Sequence, residues 1–104
     1  MNRDVIFFET ESGEISVKDF LENLDFAVIK RILWTLQIIK ESDIVPSIYF
    51  KKLKDTDEIW EVRIRFASNI YRIFSFWDKR NLIVLTHGIM KKSQKNPQFL
   101  WTRI

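Results

Sequence analysis

The chain has 104 residues, 46% of them apolar and 14% aromatic: enough for one hydrophobic core, not two, and too apolar for disorder. With no cysteine and one histidine, disulfides, thiolate metal sites and multi-histidine metal sites are excluded. Two glycines and two prolines leave no flexible linker, and no run approaches the roughly 18 apolar residues of a membrane helix or the apolar stretch of a signal peptide. These exclusions point to one soluble cytoplasmic domain, residues 1–104, with no membrane partner. Its charge is uneven. Residues 1–50 hold five Lys/Arg against nine Asp/Glu, a net of −4, and residues 51–104 hold twelve against five, a net of +7. A basic half of this kind suggests a polyanionic partner with the acidic half turned away. The plainer reading is that surface charge clusters by chance.

From the N-terminus, "VIFFET" at Val5 reads as a short strand of β-branched and aromatic residues, and "ESGE" as a turn. Ser16 with Asp19 three residues on resembles a capping box that opens a helix through Phe20 and Leu21. After an interruption at Asn23 to Asp25, a longer helix is expected over about Phe26 to Lys40. Ile29, Ile32, Leu33, Leu36 and Ile39 form its apolar stripe. Pro46 cannot continue that helix, and "IYFKKLKDTDE" reads as a basic loop. Three strands follow at about Ile59–Phe66, Ile70–Trp77 and Leu82–Ile89, joined by hairpin-length connections. The expected fold is α+β: an N-terminal strand, then a two-helix hairpin packed on one face of a small antiparallel sheet that ends in a three-stranded meander.

On the first meander strand Trp60, Val62, Ile64 and Phe66 share one face, and Glu61, Arg63 and Arg65 the other. The apolar face belongs against the helices, so the arginines face outward or into a groove. Arg72 joins them if the turn sets the register, and Lys91 and Lys92 lie where the last strand ends, with Lys95 beyond. Guanidinium groups on rigid strands can meet charge that develops on phosphoryl oxygens. A solvated face of ordinary long side chains would intersperse acids among the bases, and Glu61 is one. Arg72, read as outward-facing, is no core anchor, so its loss is expected to spare the fold. His87 sits with Leu85 and Ile89 by alternation. It reads either as an acid–base group or as a packed or capping side chain. The four tryptophans read as core and rim rather than base-stacking platforms.

Four segments, "VIFFETESGEISVKDFL", "KKLKDTDEIWEVRIR", "NIYRIFSF" and "IVLTHGIMKKSQKNP", resemble, in order and spacing, the RelE/ParE superfamily of type II toxin–antitoxin toxins. The likeness is to its HigB-like branch, related to phage-derived proteins, and it covers residues 5–97. It implies a metal- and cofactor-free endoribonuclease acting on mRNA in the ribosome. Arg63, Arg65, Lys91 and Lys92 would be basic site residues and Arg72 the main phosphate clamp, with less defined parts for His87 and Lys95. It also implies a cognate antitoxin, a helix-turn-helix HigA-like protein, in a toxin–antitoxin hetero-oligomer. A ParE-like gyrase poison and a non-catalytic RNA- or antitoxin-binding remnant are the alternatives. The family's charged C-terminal helix is expected to be short or truncated here, at "QFLWTRI". That tail is expected to fold over the sheet beside the basic groove, burying Phe99 or Trp101 on Phe74 or Phe76.

Overall fold

A computed structural model describes residues 3–56 and 58–92. Its elements in order are β1 (Asp4–Phe7), α1 (Ser16–Glu22), α2 (Phe26–Glu41), β2 (Phe50–Lys52), β3 (Trp60–Phe66), β4 (Asn69–Asp78) and β5 (Leu82–Lys92). The strands form one sheet in the order β1-β5-β4-β3-β2. Both helices lie on one face, α1 against β5 and α2 against β3 and β1. The α+β class and the strand–helix–helix–meander order are as expected. The expected tail packing and Lys95 lie outside the described residues.

The core fills the space between the helices and that face. Val17 and Leu21 of α1 and Val28, Ile32, Leu36 and Ile39 of α2 meet Val62, Ile64, Tyr71, Ile73, Ile83 and Leu85 of the sheet. Thr35 joins the buried stripe of α2 and satisfies its hydroxyl by donating to the Arg31 carbonyl at 2.9 Å, while Leu33 is half exposed. The stripe is therefore rotated from the expected one, toward Val28 and Thr35. Phe50, Trp60 and Trp77 close one end as a ring cluster, Phe50 stacked on Trp60 with centroids 4.9 Å apart.

Four local details depart from the sequence reading. First, the sheet is mixed, because β1 runs parallel to β5, with Val5 opposite Ile83. A parallel partner needs a long crossover, which the helices and the rest of the sheet supply. Second, the segment read as a basic loop contains β2, an edge strand that sets Lys51 opposite Glu61. Three residues are too few to show an alternation pattern. Third, Ile15 rather than Ser16 caps α1, and its side chain makes no capping bond. As expected, α2 ends close to Lys40, at Glu41 and before Pro46. Its terminal carbonyls are met from outside: Arg3 donates to the carbonyls of Ile39 at 3.0 Å, Ser42 at 2.6 Å and Asp43 at 3.1 Å, a basic cap of the orphan acceptors at a helix C-terminus. Fourth, β4 and β5 shift register between Phe74 and Ser75, so that Thr86 is an extra residue in β5.

Gly88 makes the seat for α1. A Cβ there would come within 2.5 Å of the Phe20 ring, so only glycine lets the ring lie on the strand.

Candidate functional site: the open face of the sheet

The face away from the helices is ordered in rows by register. Arg65 of β3, Ile70 of β4 and Lys91 of β5 make one row; Arg63, Arg72 and Ile89 make the next. Lys51, Glu61, Phe74 and His87 make the third, across β2, β3, β4 and β5. Adjacent strands lie about 4.8 Å apart and alternate residues about 6.8 Å along a strand. The cationic backbone positions of the first two rows thus fall within a patch roughly 10 Å by 7 Å, the span of one or two nucleotide phosphates. The hairpin turn that fixes this register, Ala67–Ser68 between Phe66 and Asn69, holds Ala67 at φ +56°, a left-handed conformation.

Glu61 sits in the middle of this charge. It is 4% exposed, the only charged side chain buried among the described residues. Its Oε1 lies 3.0 Å from Arg63 Nε and its Oε2 3.2 Å from Arg72 Nε, so the two carboxylate oxygens are divided between two guanidinium groups. Arg72 Nε is buried and, despite the short distance, out of line for a hydrogen bond. Its attraction to Glu61 is therefore coulombic. The two arginine side chains are one-third and just over one-quarter exposed, with stems covered and heads emerging. Arg72 thus lies on the outward face while its Nε is held beside a buried group.

Of the seven residues singled out from sequence, the sheet brings Arg63, Arg65, Arg72, His87 and Lys91 onto this face. Lys92 pairs with Asn69 at the strand end, with its side chain outside the described residues. His87 does not share a face with Leu85. Leu85 is fully buried in the core while His87 is exposed opposite Phe74. The extra residue at Thr86 reverses the alternation. The Thr86 hydroxyl donates to the Phe74 carbonyl at 3.0 Å and lies 3.2 Å from His87 Nδ1. The imidazole tilts over the Phe74 ring, with centroids 4.9 Å apart. Beside them an apolar cleft of about 350 Å³ is lined by Leu53, Ile59, Phe74, Phe76, Thr86 and His87. Arg65 and Arg63 also reach a second cleft of about 370 Å³ at the β3 edge, with Arg31, Ile48 and Tyr49.

Two participants escape a sequence reading. Lys51 looks like a loop residue until β2 is seen, and Glu61 looks like an interspersed surface acid. The signal for Glu61 was its place two residues before Arg63 on the same face. Among the described residues no group of three His, Cys, Asp or Glu side chains is arranged to hold a metal, and no helix is long and apolar enough to cross a membrane. Chemically, the face presents an exposed basic rim around a fixed pair of guanidinium groups, with an imidazole one row away.

Comparison with known proteins bears on the family and the fold. The phage-derived protein Gp49-like family (DUF891) matches residues 19–103. No curated protein matches by sequence. Among solved structures, the archaeal RelE–RelB complex from Pyrococcus horikoshii OT3 superposes with a TM-score of 0.54 at 19% identity, covering 91% of this chain and 99% of that one. At that identity the likeness shows a shared fold.

Proposed function

Because the chain belongs to the Gp49-like family of phage-derived proteins and has the RelE-type toxin fold, we propose that it is the toxin of a type II toxin–antitoxin pair, cleaving ribosome-bound mRNA without metal or cofactor. The observation that carries this reading is the cross-strand pair Arg63 and Arg72, fixed opposite one another on an open basic face. In the proposed reaction the ribose 2′-hydroxyl loses its proton and attacks the adjacent phosphorus. The 5′-oxygen then leaves with a proton, giving a 2′,3′-cyclic phosphate and a 5′-hydroxyl end. Negative charge builds on the non-bridging oxygens. Arg72, with Arg63, is the group to meet it, and preorganised donors of this kind act where charge develops.

Arg65, Lys91 and Lys51 flank the pair and would hold the RNA backbone to either side; Lys92 and Lys95 would add further charge for the RNA to meet. His87, one row from Arg72, is the candidate to accept or return a proton. The cleft beside the Phe74–His87 ring pair suits a flanking base, since a ring face accepts any base by stacking. The partner we propose is an acidic segment of a cognate antitoxin, a HigA-like helix-turn-helix protein, covering the basic face in a hetero-oligomer. Its affinity should fall with salt and with Arg63→Glu.

The test is expression in bacteria without antitoxin, with mapping of mRNA 5′ ends. Growth arrest with new 5′-hydroxyl ends within translated messages supports the reading, as does loss of both in Arg72→Lys, which keeps the charge but not the fork. Intact messages alongside DNA-damage signals would point instead to gyrase poisoning. Intact messages with unimpaired growth would point to a binding remnant.

A further inference from the structure

Glu61 has the wrong sign for a face that binds an anion, yet it is the charged group this face buries. Arg63 and Arg72 are direct cross-strand partners, and like charges at such positions repel. A carboxylate that meets one Nε with each oxygen, at 3.0 and 3.2 Å, offsets that repulsion. It also restrains two long side chains that would otherwise sample many rotamers. A guanidinium approached at Nε still has its terminal amino groups to offer, and both heads are partly exposed.

We propose that Glu61 is a positioning residue: it aims the guanidinium groups of Arg63 and Arg72 so that together they form a preformed two-armed site for a phosphodiester. The identity of the anion rests on the ribonuclease reading; the positioning itself does not. The idea makes a counterintuitive prediction. The three groups carry a net charge of +1, and Glu61→Gln raises it to +2. Coulomb attraction alone would then tighten binding of a polyanion, whereas positioning requires that binding weaken. Glu61→Asp keeps the charge but is one methylene shorter and cannot span both partners, so it should weaken binding as well.

The measurement is the affinity of the full-length protein for a single-stranded RNA oligonucleotide carrying 2′-O-methyl groups throughout, which cannot be cleaved, over a range of salt concentrations. The expected result is that Glu61→Gln and Glu61→Asp each bind about tenfold more weakly than wild type, the scale of one lost charge-assisted contact. Unchanged or tighter binding by Glu61→Gln would make Glu61 a mere countercharge and overturn the proposal. Should Glu61→Gln not fold, Glu61→Asp and the wild-type arginine Nε–H resonances decide. Those of Arg63 and Arg72 should hold their positions as the oligonucleotide is added. If they move away together, the anion displaces Glu61 and the carboxylate is only a placeholder. A wild type that binds the oligonucleotide but leaves mRNA intact would sink the ribonuclease reading and leave the positioning standing. A wild type that does not bind the oligonucleotide even at low salt would sink both.

Discussion

Replacing Arg72 with alanine separates what the side chain does for the fold from what it does for the chemistry. The side chain stands 3.2 Å from a carboxylate that is 95% buried, and its own Nε is inaccessible. Removing one partner of a fully buried ion pair costs roughly 3–5 kcal/mol. Here Arg63 remains, 3.0 Å from the other oxygen, so the carboxylate is left half-compensated and the cost should be nearer 1–3 kcal/mol. Against a total stability of about 5–15 kcal/mol the domain still folds, but its melting temperature should drop by roughly 5–20 °C. Thermal melts followed by circular dichroism measure this directly. Combining Arg72→Ala with Glu61→Gln should cost less than the sum of the single changes, because the buried charge goes with its partner. Cleavage assayed well below the lowered melting point should fall by roughly 10²-fold or more, the effect of losing one transition-state donor. Strict additivity of the two substitutions would refute the claim that Arg72 compensates Glu61. Wild-type cleavage by folded Arg72→Ala would refute its role as the phosphate clamp.

Three further outcomes follow from the fold. Gly88→Ala puts a Cβ 2.5 Å from the Phe20 ring and should destabilise by about 1–3 kcal/mol; adding Phe20→Leu should recover part of the loss in the same melt. Arg3→Met, which keeps the stem but removes the donors to the carbonyls of Ile39, Ser42 and Asp43, should cost about 1–2 kcal/mol and speed amide exchange in the last turn of α2. Ala67→Gly, at an exposed turn position with φ +56°, should raise stability by about 0.5–1 kcal/mol, since relief of left-handed strain outweighs the added chain entropy; a lower melting temperature would show the strain to be absent.

The alternation of "WEVRIRF" by itself put Glu61, Arg63 and Arg65 on one face of a strand, because the period of two is a property of the extended backbone and needs no partner. The helix over Phe26–Glu41 and the order of the meander were legible for the same reason: short-range periodicity and turn-length connections are local. What local pattern could not give was register and pairing. That Arg72 stands opposite Arg63 depends on a two-residue turn whose Ala67 adopts a left-handed φ the sequence does not announce. The extra residue at Thr86 turned His87 away from Leu85 and toward Phe74, and a bulge of one residue leaves no periodic trace. β2, and with it the place of Lys51, exists because β3 offers it an edge, not because three residues prefer to be extended. The burial of Glu61 between two arginines is likewise a product of assembly. Its residue type reads as surface acid, and only strands docked side by side bring it two cations close enough to offset the cost of leaving water.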